Sequence, residues 1–356
     1  MPRSRAERRT HVPVAAAGTD RLETMNQLPD LAELIDASHV VTLPMNVQFR
    51  AVRHREALLL EGPAGWGEFS PFLEYGPAEA AAWLRAAIEA SWEGYPDPVR
   101  TSVPVNATLP AVDPGRVAGI LSSYDAAHTI KVKVAEQGQD LAQDVARVAE
   151  VRRLFPEAAI RIDANAGWNH DEAMAGLEAL AEYRLQYAEQ PVDGIDGLAR
   201  VRQEVARRGL GVLIAADESV RKESDPLAVA RAQAADLIVI KAQPLGGVRR
   251  ALEIVRDAGL PAVVSSALDT SIGLRQGAAL AAALPALPYA CGLATGSLFS
   301  SDITTDRFLA VGGELQLRAI TPDPSLLRSH AVSAERRSWW HRRLAECHRE
   351  LLRKMG

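Results

Sequence analysis

The order of apolar runs along this chain predicts an α/β fold, a (β/α)8-type modified TIM barrel. An α+β capping unit, made from the N-terminal segment and a C-terminal strand, is expected to sit on it. Three observations lead there. Eight runs of strand character recur between Val103 and Thr295, with helical stretches rich in Ala, Arg and Glu between them. Continuous apolar runs of this kind are those of buried parallel strands, and eight such units make a barrel. No GxGxxG follows any run, so the mark of a doubly wound dinucleotide-binding sheet is missing.

Taken in order, residues 1–25 are arginine-rich and lack a secretory apolar run, and read as a disordered extension. Met25 would serve equally well as a start. The cap is expected over 26–100. "VVTLPMNVQF" (40–49) and "EALLLEG" (56–62) read as strands, and "GWGEFSPF" (65–72) as a glycine- and proline-bounded loop. "PAEAAAWLRAAIEASW" from Pro77 reads as a helix with proline in its first turn. The barrel is expected over 101–300. Its runs are "VPVNA" (103–107), "TIKVK" (129–133), "AIRID" (159–163), "LQYAE" (185–189), "GVLIAAD" (211–217), "LIVIK" (237–241), "PAVVSS" (261–266) and "YACGLAT" (289–295). The stretches "GQDLAQDVARVAEVRRLF", "HDEAMAGLEALAEY" and "PLAVARAQAA" have helical periodicity. In the segment 301–330, "GGELQLRAI" reads as a strand returning to the cap. The basic, amphipathic tail 331–356 reads as a solvated surface helix.

Composition narrows the function. The 356 residues are 47% hydrophobic and carry a formal net charge of −5. That is enough chain for a large core and gives no basic footprint for nucleic acid. No stretch approaches the ~18 consecutive apolar residues of a membrane span, so no membrane partner is expected. Cys291 and Cys347 are the only cysteines, without metal-type spacing, which fits a reducing cytoplasm.

Five consecutive strands end in a charged side chain: Lys133 (with Lys131), Asp163, Glu189, Asp217 and Lys241. Their successive spacings of 30, 26, 28 and 24 residues are each one β/α unit. All five therefore belong at the C-terminal ends of barrel strands, where barrel enzymes work. In a ring of eight, strands two and six are opposite, so the lysines face each other across three carboxylates. Those carboxylates repel one another unless a cation is present, and hard oxygen donors suit Mg²⁺ better than zinc. Lys131 and Lys133 are two apart on a strand and point to one face. A metal between opposed lysines suits proton abstraction next to a carboxylate, the metal stabilising the enediolate. Lys133 is assigned as acid/base and Lys131 as the neighbour that lowers its pKa, roles that the spacing also allows in exchange. Lys241 is a second acid/base or a cation that holds the intermediate.

"KVK", "RIDAN", "YAEQP", "AADES" and "IVIKAQPLGG", in this order, resemble the enolase superfamily, muconate-lactonizing subgroup. A Lys base with a metal-stabilised enediolate is that superfamily's known pattern. The resemblance implies Asp163, Glu189 and Asp217 as Mg²⁺ ligands and Lys133 and Lys241 as the catalytic pair. Asn165 and Glu218, each beside a ligand, would support it. "GWGEFSPFLEYGPAEAAAWL", "VPVNATLPAV", "VSSALDTSIGL" and "GLATGSLFSSDI" are similar to an actinobacterial branch of the subgroup. For that branch the implied reaction is syn elimination of water from a cyclohexadiene carboxylate, giving 2-succinylbenzoate for menaquinone synthesis. Ser265, Ser266 and Gly292 would contact the succinyl arm or simply leave room for it. Trp66, Phe69 and Phe72 would cover the substrate or pack the cap. His128 and His170 fall at no strand end and are expected to be non-catalytic. The rival activity is racemisation of N-acylamino acids or epimerisation of dipeptides by the same lysines. Dipeptide epimerases carry an acidic motif on the last strand, whereas here Asp302 comes only after "CGLATGS". A metal-binding barrel without catalysis is the remaining alternative, disfavoured by two costly ammonium groups at the mouth.

Overall fold

The computed structural model describes residues 28–49, 52–221 and 225–355, so the extension expected at 1–25 lies outside the described residues. A short helix α1 (Leu31–Asp36) leads into an antiparallel sheet of β1 (Ser38–Phe49), β2 (Val52–Gly62) and β3 (Gly65–Phe69). Helix α2 (Pro77–Ile88), extended by a π turn over Glu89–Glu93, packs on β3. Proline in its first turn costs nothing, because that N–H has no helical partner.

The segment 65–72, read from sequence as a loop, is in part strand β3. Gly65 does serve the turn, at φ 133°, but Gly67 serves a close approach. A Cβ on Gly67 would fall 2.1 Å from the Ala87 carbonyl oxygen, and one on Gly62 2.3 Å from that of Ser91. The hairpin thus lies directly against the helix backbone.

The barrel sheet has seven parallel strands in ring order: β5 (Ala107–Leu109), β6 (Thr129–Lys133), β7 (Ala159–Asp163), β8 (Leu185–Glu189), β9 (Leu213–Ala216), β10 (Leu237–Ile240) and β11 (Ala262–Val264). The eighth run supplies only two bridging residues. Cys291 pairs in parallel with Val105, and Gly292 with Ser265, which joins β11 back to the start of the ring. Amide–carbonyl bonds from Cys291 to Pro104 (2.7 Å) and from Gly292 to Val264 (2.8 Å) close it. Helices α3 (Leu141–Leu154), α4 (His170–Leu180), α5 (Ile195–Arg208), α6 (Val248–Ala258) and α7 (Ser271–Ala283) surround the sheet. The stretch "PLAVARAQAA" gives only one helical turn, Ala228–Arg231, before Gln233 turns left-handed at φ 50°.

Strand alternation builds the interior in layers. Lys131, Arg161 and Tyr187 share one level by register, and Lys133, Asp163 and Glu189 share the next. In the lower layer the Arg161 guanidinium lies 4.8 Å from the Tyr187 ring centre and donates to Asn106 Oδ1 and the Ala290 carbonyl. Ile130, Val132, Ile160 and Ile162 leave on the other face and are fully buried in the apolar core.

The segment 312–320 forms strand β12 (Glu314–Gln316), which pairs antiparallel with β4 (Ser102–Pro104) and not with the cap sheet. The chain returns to the cap elsewhere, through the bridges Met45↔Phe299 and Val41↔Ala331. The tail helix α8 (Ala334–Met355) is more than a solvated face, because it packs on α2 and buries Trp340, Leu344, Cys347 and Leu351. Trp340 stands edge-on to Phe69 and donates to Glu56 (2.8 Å). Arg343 donates to the carbonyls of Phe72 (2.9 Å) and Tyr75 (2.8 Å). Among the described residues no helix is long and apolar enough to cross a membrane.

Two buried cap carboxylates dock on barrel-helix N-termini, where free amides and the helix dipole favour negative charge. Glu68 accepts from Thr270 N (3.1 Å), Thr270 Oγ1 (2.6 Å) and Gly273 N (2.9 Å) at the start of α7. Glu89 accepts from the amides of Val248 and Arg249 at the start of α6. Both helices begin at the barrel's C-terminal face, so the cap is fixed over the mouth.

Candidate active site

At the mouth, Lys131, Lys133, Asp163, Asp217 and Lys241 line one cavity of about 570 Å³, counted to its open mouth. On one side Lys133 Nζ donates to Asp163 Oδ2 (2.6 Å). Lys131 Nζ reaches up a layer to Asp163 Oδ2 (2.9 Å) and Glu189 Oε1 (3.0 Å). On the opposite side Lys241 Nζ binds both oxygens of Asp217, with Oδ2 at 2.5 Å. The three carboxylates are at most 2% exposed. β6 and β10 are separated by β7, β8 and β9 in the ring, which places the lysines across the cavity from each other.

The electrostatics follow from burial and pairing. Burial alone would lower the Lys131 ammonium, but Asp163 and Glu189 together hold it well above the ordinary lysine value. Burial opposes ionisation of Asp163, yet Lys131 and Lys133 keep it well below the usual carboxylate range. Glu189 is raised to about 7, first by burial and then by Asp163 beside it. Lys131 is therefore a fixed positive charge sharing Asp163 with Lys133.

Asn165 adopts a left-handed backbone (φ 45°) that turns its side chain back onto the site. Its Oδ1 accepts from Lys133, its amide N donates to Asp163 Oδ1 (3.0 Å), and its Nδ2 donates to Glu218 (3.3 Å). Both residues expected beside a ligand thus form one chain of contacts to Lys133. Ser265, Ser266 and Gly292 line the cavity. Ser266 Oγ bonds Thr295 Oγ1 (2.8 Å) and the Gly292 carbonyl (3.0 Å). A Cβ on Gly292 would lie 2.6 Å from Ser265 Oγ, so a larger residue would displace that hydroxyl.

From the cap, Phe72, Tyr75 and Trp83 line the cavity. Phe69 packs against Trp340 and Trp66 against His39, so neither is a lining residue. Tyr75, Trp83, Thr108, Leu268 and Thr295 were not singled out from sequence, because nothing in their local pattern marks them. Gln190 was missed too, although it follows Glu189 directly. It accepts from the amides of Asp217 (3.0 Å) and Ser219 (3.1 Å) and so fixes the loop that carries Asp217. His170 is near Asp171 and Glu204, His128 lies against Gly313, and neither lines the cavity. Asp302 accepts from Ser271 at the start of α7 and also lies off the cavity.

The donor set fits a hard divalent cation: three crowded carboxylates on neighbouring strand ends, without thiolate or imidazole. Among the described residues no three metal-type side chains converge as a finished cluster, since each carboxylate is turned to an ammonium.

The fold is that of a capped barrel enzyme, and its lysines and carboxylates gather at the strand ends, the face where barrel enzymes work. Residues 117–322 match the family described as Enolase C-terminal domain-like, and residues 40–91 match Enolase N-terminal domain-like. The chain belongs to the enolase superfamily. It is 49% identical over 324 residues to the o-succinylbenzoate synthase of Mycolicibacterium smegmatis, covering 91% of this chain and 98% of that protein. It is 48% identical over 328 residues to the o-succinylbenzoate synthase of Mycobacterium marinum, with 92% and 98% covered. In fold it is similar to the muconate lactonizing enzyme of Pseudomonas putida, with TM-score 0.70, 20% identity, and 83% and 98% of the two chains covered.

Proposed function

We propose that this chain dehydrates 2-succinyl-6-hydroxy-2,4-cyclohexadiene-1-carboxylate to 2-succinylbenzoate, the o-succinylbenzoate synthase reaction of menaquinone synthesis. It is a carbon–oxygen lyase. The observation that carries this is near-half identity to curated synthases over nearly their whole length.

Asp163, Glu189 and Asp217 would hold Mg²⁺, which, when bound, neutralises the substrate carboxylate and lets negative charge accumulate there. Lys133 takes the proton from the carbon bearing that carboxylate, and the C–H electron pair moves into the ring. The C–O bond then breaks, and Lys133 returns the proton to the departing hydroxide on the same face. The balance is one water lost and one aromatic ring gained. Lys131, held positive by its carboxylates, disfavours a second ammonium nearby and so helps Lys133 act as a base. Lys241 faces the charge from across the cavity. Asn165 and Glu218 orient Lys133. Phe72, Tyr75 and Trp83 shelter the site from water, while Ser265, Ser266 and Gly292 leave room for the succinyl arm and face it. Both cysteines are buried and unpaired, which fits the cytoplasm, where we place the enzyme.

The test is loss of the diene absorbance with and without Mg²⁺. Fast, metal-dependent loss with formation of 2-succinylbenzoate is expected. A diene left untouched by metal-loaded protein would overturn the substrate, and α-proton exchange of N-acylamino acids in D₂O would then point to the racemase.

A further inference from the structure

Arg55 is buried on cap strand β2 and touches no reacting group, yet it stands behind two walls of the cavity. Its Nε donates to the Leu268 carbonyl (3.1 Å) and its Nη2 to the Ala267 carbonyl (3.3 Å), both on the barrel. The same Nη2 donates to the Ser70 carbonyl on the cap. The guanidinium lies 4.5 Å from the Phe72 ring centre. Phe72, Ala267 and Leu268 all line the cavity. One planar group therefore ties the cap wall to the barrel wall.

The barrel wall needs such a tie. Leu268 sits at φ 61°, a left-handed conformation that a leucine keeps only where its surroundings impose it. Asp269 accepts from the Ala267 amide (3.3 Å) and from Gln243 Nε2 (3.0 Å), and Gln243 Oε1 accepts from the Ser70 amide (3.4 Å). Arg55 completes this frame from the cap side; burial lowers its guanidinium from the ordinary value, and Asp269 and Glu68 oppose that in part.

Two kinds of side chain line the cavity. Lysines and carboxylates line it at the barrel strand ends, where the carbon acid reacts. Phe72, Tyr75 and Trp83 from the cap, and Ala267 and Leu268, which follow Ser265 and Ser266 in the chain, line it without charge.

We propose that Arg55 is a positioning residue that sets the spacing between the Phe72 wall of the cap and the Ala267–Leu268 wall of the barrel, and thereby selects the substrate's side arm. This rests on the synthase reading for the identity of the arm. Lysine at this position keeps the charge but cannot span three carbonyls with a rigid fork, so the exchange is not conservative.

The test compares wild type, Arg55→Lys and Arg55→Gln, each checked for a cooperative melt, with Mg²⁺ present. Inhibition constants are measured for 2-succinylbenzoate and for benzoate, which has the ring carboxylate and no arm. In whichever variant folds, affinity for 2-succinylbenzoate falls roughly 10- to 100-fold, and affinity for benzoate is unchanged. KM for the diene rises by a similar factor while kcat changes far less. Equal losses for both ligands, or none for either, overturn the clamp. A wild type that binds benzoate but ignores 2-succinylbenzoate overturns the synthase reading, and the arm with it.

Discussion

Two of the clusters of buried charge among the described residues, one at the barrel mouth and one between cap and barrel, are satisfied in different ways. At the barrel mouth, Lys131, Lys133 and Lys241 are held chiefly by Asp163, Glu189 and Asp217. Between cap and barrel, Arg55 is held by main-chain carbonyls, and Glu68 by main-chain amides and hydroxyls. A charge paired with another mobile side chain can exchange its partner for a ligand of the same sign. A charge satisfied by backbone cannot, without breaking the fold around it. Burial of charge alone therefore does not identify a working site. The mouth cluster opens on a cavity and the interface cluster locks its walls.

That contrast predicts opposite consequences for mutation. Lys133→Ala should lower turnover by about 10²–10⁴-fold and barely move the melting temperature, because Lys131 still neutralises Asp163. A steady-state assay beside a thermal melt checks it, and a melt that collapses with activity would erase the distinction. Trp340→Ala should do the reverse and cost about 3–5 kcal/mol of stability, since a fully buried indole on α8 is lost from the cap. Denaturant unfolding measures this, and the residual folded enzyme should keep its kcat. Gly67→Ala should cost about 1–3 kcal/mol by forcing β3 away from the Ala87 carbonyl. A rise in KM accompanying that loss would tie the hairpin position to the cavity.

The smallest effect concerns pH. Burial first, and Asp269 next, raise Glu68 to about 7, and burial raises Asp269 to about 6. In the unfolded chain such carboxyls ionise near pH ~4. The folded form therefore binds more protons between these limits, and its stability falls as pH climbs from about 4 to about 7. Glu68→Gln removes part of that loss. The melting temperature of wild type minus that of Glu68→Gln should thus decrease across the window, by about 2–4 °C for each kcal/mol involved. A difference that is flat or rises with pH would show that Glu68 is ionised throughout.

The same contrast explains what could be read early. Lys133, Asp163, Glu189, Asp217 and Lys241 were legible because each closes an apolar run one β/α unit after the last. Ring geometry then requires them to converge. Phe72 was visible only as one aromatic among several, while Tyr75, Trp83 and Leu268 carry no local signal of their place. "GWGEFSPF" misled because glycine marks turns as well as close packing, and only the helix lying on Gly67 tells which. The strand at 314–316 was visible by its pattern but its partner was not, since alternation fixes a face and not a neighbour.

By itself, the sequence determined the barrel, the order of its charged strand ends and the carbon-acid chemistry they suit. Those properties follow from periodicity and spacing, which are local. Tertiary structure alone decided that Lys131 shares Asp163 with Lys133 and spans to Glu189 from a layer below. It also decided that Arg55, 212 and 213 residues in sequence from Ala267 and Leu268, holds their carbonyls. Such contacts join distant segments through side-chain reach, and no pattern within either segment encodes them.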